Sequence, residues 1–216
     1  MSESIKELLK LAKVLGKYSV IIGRVALYIH LGKVHYITAD IDANILTTER
    51  LEETIRKLVR ELRKLGYKIP KYEVEEILRR LEIGSVASLE IGGIKIDIAI
   101  KPNEEYEVIK LEEAKVMVKP LYPLLRERLN LLSEIFEETY ALDIVVLLEE
   151  IYRRNREQGI QALKEVLQHP NLPQLKELVD ACIMKWRSLS LRIPEDQRTR
   201  LYEKLIKFKQ LLEKYT

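Results

Sequence analysis

The 216-residue chain holds one cysteine, Cys182, and so has no partner with which to close an internal disulfide. That excludes the disulfide-stapled secreted scaffolds and fits a reducing compartment. Histidine is scarce too, with three residues. His30 and His35 have no second His or Cys at metal-ligand spacing, which argues against zinc and leaves them a loop or half-buried structural role. No apolar run reaches the ~18 residues that would span a bilayer, and the start M-S-E-S-I-K-E lacks the pattern of a signal peptide. A cytoplasmic protein without a membrane partner is the expectation. The net charge of +3 is too small to argue by itself for nucleic-acid binding. No internal repeat or low-complexity tract is present.

What remains is an ordinary globular composition with an excess of charge. Apolar residues make up 47% and charged ones 33% of the chain, the latter above the usual average of about 25%. Abundant Lys, Glu and Ile fit a heat-adapted, archaeal-like thermophile source, where charge networks cost less to desolvate. The length is enough for one sizeable core, or for one core and a helical appendage.

The most informative stretch runs from Ser19 to Leu46. A short apolar run, Val20-Ile21-Ile22, meets Gly23 and gives way to a helical pattern from Arg24 to Leu31. The stretch ends in Ala39-Asp40-Ile41-Asp42-Ala43-Asn44-Ile45. On a strand, alternate side chains share a face, so Asp40, Asp42 and Asn44 stand together with Ile41, Ala43 and Ile45 behind them. Like charges held that close repel, and a chain that keeps them has a cation to place there. Gly23 turns the chain into a helix whose first N–H groups would face an anion. Arg24, in that first turn, reads as a phosphate contact, as a surface side chain or as an obstruction of the pocket. Tyr36 and Thr38 alternate with Asp40 and are expected on its face. Thr38 is either a partner of the carboxylates or a plain strand threonine.

A third carboxylate follows. Ile94, Ile96, Ile98 and Ile100 alternate with Lys95, Asp97, Ala99 and Lys101, which predicts a strand. Placed beside the first strand on a common core, it would add Asp97 to the acidic face. Three such carboxylates can hold two divalent ions roughly 3.5–4 Å apart, the arrangement used for in-line attack on phosphorus.

An apolar strand ending in Gly, a helix, Asp-x-Asp and a later strand with one Asp together resemble the polymerase-beta-type nucleotidyltransferase fold. The segment is most similar to a small bacterial and archaeal branch that includes the abortive-infection (AbiE-type) toxin nucleotidyltransferases. Gly23, Thr38, Asp40, Asp42 and Asp97 carry the resemblance, which spans roughly residues 1–145 and weakens beyond Asp97. It implies catalytic and metal-binding roles for Asp40, Asp42 and Asp97, nucleotide-binding roles for Gly23, Arg24 and Thr38, and Mg²⁺ or Mn²⁺ as cofactor. It also implies transfer of a nucleoside monophosphate from a nucleoside triphosphate to a protein, RNA or small acceptor, with an antitoxin as a further partner. The departures are Gly23-Arg24 in place of two small residues, Tyr36 where the family often has Arg, and Asp143 without a preceding Lys-Asp pair. They leave open a catalytically inactive protein that binds a nucleotide or partner.

The rest of the chain is read from its periodicity. Residues 4–16 predict a helix stopped by Gly16. Thr47-Thr48 are expected to cap a helix over residues 49–66 that carries Arg56, Lys57, Arg60, Arg63 and Lys64, either a solvated face or a landing surface for nucleic acid. A helix over 74–81 leads to a hairpin, 85–91 and 94–101, turned at Gly92-Gly93. Residues 114–118 predict one more strand. Beyond Pro120 the period is helical throughout, with helices expected over 121–136, 140–158, 160–168, 173–189 and 194–215. The fold class is therefore α/β (α+β), a small mixed sheet with helices over residues 1–119 and an all-helical region over 120–216. By the resemblance, the helical region would wall the substrate cleft and Asp143 would brace the site; from the sequence alone Asp143 is equally a helix-start acid.

Overall fold

The structure, a computed structural model, describes residues 3–33 and 35–215. Contacts divide the chain into two compact units, Met1–Gly32 with Thr38–Pro120, and Lys33–Ile37 with Leu121–Thr216.

The first unit contains α1 (Glu3–Leu15), β1 (Val20–Ile22), α2 (Gly23–Leu31), β2 (Asp40–Ile45), α3 (Leu51–Lys64), α4 (Lys71–Glu82), β3 (Ala87–Ile91), β4 (Ile94–Ile100), β5 (Glu107–Leu111) and β6 (Ala114–Val118). The six strands form one mixed sheet in the order β3-β4-β2-β1-β6-β5. Its core follows from the alternation. Ile41, Ala43, Ile45, Ile96 and Ile98 are buried from one side of β2 and β4, each isoleucine contributing roughly 1.5–3 kcal/mol by leaving water. The apolar stripes of α1 and α3 are likewise buried, through Leu8, Leu11, Leu15, Ile55, Leu58 and Leu62. The expected hairpin is present: Ile91 pairs with Ile94 across Gly92-Gly93.

Two local expectations fail. Thr47 does not cap α3. Its hydroxyl accepts from the Glu49 N–H at 3.0 Å, a local turn, and α3 begins at Leu51 after Arg50 in a left-handed conformation, φ 67°. Nor does the sequence reading contain β5. This strand lies at the edge of the sheet with no fully buried residue, so it carries no one-sided apolar pattern to read.

The second unit contains α5 (Leu121–Leu131), α6 (Thr139–Arg154), α7 (Arg156–Gln168), α8 (Leu172–Met184), α9 (Trp186–Leu189), a 3₁₀ turn (Ser190–Arg192) and α10 (Glu195–Lys214). The helix expected over 140–158 ends early. Asn155 adopts an extended conformation, and its side chain caps α7 by accepting from the Gln158 N–H at 3.0 Å. Gly159, expected as a break, lies inside α7. A Cβ there would sit 2.4 Å from Tyr152 Cα, so its absence is what lets α7 close against α6.

Tyr36 also departs from expectation. It belongs to the second unit, is buried, and has the Arg192 guanidinium 4.6 Å from its ring centre. Ile37 beside it accepts from the same guanidinium and donates its N–H to the Arg192 carbonyl. The strand that carries Asp40 begins at Asp40, so Tyr36 does not share its face.

Candidate functional site

The site is built by strand register. β2 runs parallel to β4 with Asp40 opposite Lys95 and Asp42 opposite Asp97, and antiparallel to β1 with Asp42 opposite Ile22. Ile22, Asp42 and Asp97 therefore form one row across three adjacent strands, which are spaced about 4.8 Å apart. Asp42 and Asp97 are half-buried and Asp40 is exposed, all on the side of the strands away from Ile41 and Ile96. Like charges placed directly opposite each other in a sheet destabilise it, so the row is a cost unless positive charge comes to it.

Gly23 follows Ile22 without a break. Its φ of 64° is the left-handed region that side-chain-bearing residues avoid, and it lets β1 pass directly into α2 beside Asp42. The N-cap residue of α2, Ile22, has no side chain that could cap the helix, and Arg24 is the half-buried second residue of α2. Thr38 is buried and donates its hydroxyl hydrogen bond to Asp40 Oδ1.

One positive charge at the row is Lys95, to which the sequence assigns a place on the Asp97 face but no role. Its ammonium lies 2.7 Å from Asp97 Oδ2, while Ser88 donates to Asp97 Oδ1 at 2.6 Å. The hydrogen bond and charge of Asp97 hold the Lys95 ammonium above its usual pKa, and the charges of Asp42 and Asp40 add to this. Among the described residues no group of three or more His, Cys, Asp or Glu side chains is gathered to hold a metal ion. All three carboxylates offer hard oxygen donors of the type that suits Mg²⁺ or Mn²⁺. The donor type suits a divalent cation, but the three carboxylates are not gathered about one point, and Lys95 stands on Asp97.

The same face of β2 continues inward to Asn44. This residue is buried and donates to Glu104 Oε2 at 2.6 Å. Glu104 pairs with Lys119 at 3.0 Å and Lys101 at 3.1 Å, and both Glu104 and Lys119 are almost wholly enclosed. Burial raises the Glu104 carboxyl, but Lys119, Lys101 and Asn44 outweigh it and leave the group below its usual range. His30 Nε2 lies 2.8 Å from the Lys119 carbonyl, which can only accept, so the proton is on Nε2. Lys95 was legible from its i,i+2 spacing to Asp97. Glu104 and Lys119 come from loop and strand-end positions with no periodic signal.

Asp143 belongs to the second unit. It is the fifth residue of α6 rather than a helix-start acid, and it is fully buried. His35 Nε2 meets its Oδ1 at 2.7 Å and Arg128 Nε its Oδ2 at 3.3 Å. His30 and His35 are both buried, deeper than the half-buried role expected of them. Cys182 is buried as well, and burial pushes its thiol pKa up to about 12, which leaves it inert as a nucleophile. No described helix is long and apolar enough to cross a membrane.

No protein-family model matches the chain, and no curated protein does. Among solved structures it is similar to a candidate nucleotidyltransferase from H. pylori, at 13% identity and a TM-score of 0.51 over 100% of this chain and 99% of that one. JHP933 from Helicobacter pylori gives 15% identity and 0.46 over 99% and 95%. The antibiotic-resistance factor ANT(2'')-Ia gives 18% and 0.45 over 73% and 89%. At such identities the likeness is one of fold: the chain has a nucleotidyltransferase fold of the polymerase-beta type.

Proposed function

We propose that this nucleotidyltransferase-fold chain is a divalent-metal-dependent nucleotidyltransferase that moves a nucleoside monophosphate from a nucleoside triphosphate to a protein, RNA or small acceptor. The observation that supports this reading most is the row Ile22, Asp42 and Asp97, which puts two opposed carboxylates beside the start of α2. Asp40, Asp42 and Asp97 would hold the metal, Mg²⁺ or Mn²⁺. When bound, that ion neutralises triphosphate charge and lowers the pKa of the attacking group. Gly23 and the first turn of α2 would receive the triphosphate, with Arg24 beside it. Thr38 would fix the Asp40 carboxylate through its hydrogen bond. Asp97 would accept or orient the acceptor's proton once Lys95 moves aside. A role as the toxin of a toxin–antitoxin pair rests on the sequence resemblance of Gly23, Thr38, Asp40, Asp42 and Asp97 to the AbiE-type proteins, and an antitoxin is then the expected protein partner.

The test is incubation with Mg²⁺ and a nucleotide labelled at the α-phosphate, followed by a search for labelled protein, RNA or small molecule. Labelling that Asp42→Asn abolishes supports the reading. Labelling that survives both Asp42→Asn and Asp97→Asn removes the mechanism.

One observation favours a second reading. With Asp97 engaged by Lys95 and Ser88, the chain has the means to neutralise its own acidic row, as a protein that binds a partner without catalysis would. A chain that binds no triphosphate even with Mg²⁺ would fit that reading and not the first.

A further inference from the structure

A second charged feature of the first unit, which shares no lining residue with the acidic row, lies between α3 and α4. Arg56, Arg60 and Arg63 stand at i, i+4 and i+7 on one face of α3. With Lys71 and Glu75 of α4 they line a groove of about 450 Å³. Four cations against one carboxylate give the lining an excess of three positive charges. Arg56 is partly neutralised by Glu52 at 2.7 Å, and Arg63 donates to the Ile69 carbonyl. Arg60 and Lys71 make no ion pair or hydrogen bond among the described residues, so both are available to a ligand.

The groove's shape and lining narrow the ligand. The arginines span about 10 Å along the helix axis at 1.5 Å per residue, longer than one phosphate group. The apolar contribution is small, from Val59 and Val74, and no aromatic side chain lines the groove, so it has no platform on which a base would stack. It can read charge and guanidinium-matching oxygen geometry, but not base identity. Lys71 opens α4 after Pro70, which makes no side-chain cap, so the positive end of that helix adds to the same field, with Glu73 in the first turn set against it.

We infer that the groove between α3 and α4 is a binding site for an anion with two or more phosphate groups, engaged through Arg60 and Lys71 with Arg56 and Arg63 at its flanks. Two sources supply this chemistry, the phosphodiester backbone of a single-stranded nucleic acid and a free oligophosphate. The site is independent of whether the acidic row is catalytic.

The test uses the full chain, a fluorescent single-stranded RNA of mixed sequence followed by anisotropy at several salt concentrations, and pyrophosphate followed by calorimetry. The variants are Arg60→Gln with Lys71→Gln together, and Arg79→Gln as a control on α4 outside the groove. Circular dichroism checks the fold. The expected result is RNA binding that the double variant weakens about tenfold and the control leaves alone, with the salt slope falling by about 1.4 for two lost contacts at roughly 0.7 each. Pyrophosphate bound by wild type and lost in the double variant, without RNA binding, supports the same site with a small ligand. If neither ligand binds, or if binding is the same in the double variant as in wild type, the inference is overturned.

Discussion

Replacing Asp143 by Asn tests whether the second unit is pinned by this fully buried carboxylate. Asp143 and His35 expose 1% of their side chains and Arg128 10%, so the three groups meet almost without water. Asn keeps the size and removes the charge. The Arg128 guanidinium is then left with a neutral neighbour and the Tyr140 ring 4.4 Å away. Breaking a buried pair by removing one partner costs about 3–5 kcal/mol. Arg128 is not wholly enclosed and keeps its ring contact, so the lower end, about 3 kcal/mol, is expected here. The sole tryptophan, Trp186, packs on Tyr202 within this unit, with ring centres 5.0 Å apart, and its fluorescence reports the unit's unfolding. At a urea slope of about 1–3 kcal/mol/M the midpoint should fall by roughly 1–3 M. Lys209→Ala, which removes an exposed partner of Asp180, is the control and should cost under about 1 kcal/mol. An Asp143→Asn loss no greater than that of the control would mean that the buried pairing does not hold this unit together.

Three further outcomes follow from the structure. Glu104 has a folded pKa below its unfolded one, so its stabilisation is present above the ordinary carboxylate range and is lost as pH falls through the folded value. The stability gap between wild type and Glu104→Gln should therefore be largest near about pH 7 and should close towards about pH 3; a constant gap would contradict the pairing with Lys119 and Lys101. Gly159→Ala should destabilise by about 1–3 kcal/mol, because its Cβ would meet Tyr152 Cα at 2.4 Å; a neutral result in thermal unfolding would mean that α6 and α7 do not close there. Lys95→Met should strengthen binding of Tb³⁺, a luminescent stand-in for the divalent ion, by removing the ammonium from Asp97; unchanged or weaker binding would show that Lys95 does not compete for that place.

The strand readings succeeded where one face is buried. Ile94 to Ile100 alternate because one side of β4 lies in the core, and the same demand made Asp40 and Asp42 legible as a pair on the other side. Their junction with Asp97 is a matter of pairing between strands, which alternation within one strand does not encode; the register supplies it. The edge strand β5 has no such signal because an edge has less to bury, and Tyr36 falls off the acidic face because the alternation does not extend to a position four residues before the strand begins. Asn155 ended a helix that apolar periodicity alone continued, since its cap competes with the helical hydrogen bond. Glu104 and Lys119 found each other across 15 residues of chain through loop geometry, for which the sequence holds no periodic trace.

The proposed activity needs the acidic row beside α2 to bind a nucleoside triphosphate together with a divalent ion. Calorimetry of the wild-type chain with each triphosphate in non-hydrolysable form, with and without Mg²⁺, measures that binding. Saturable binding of at least one triphosphate that needs Mg²⁺ and is lost in Asp42→Asn is expected. Binding of none, or binding indifferent both to Mg²⁺ and to Asp42→Asn, would rule the proposed activity out.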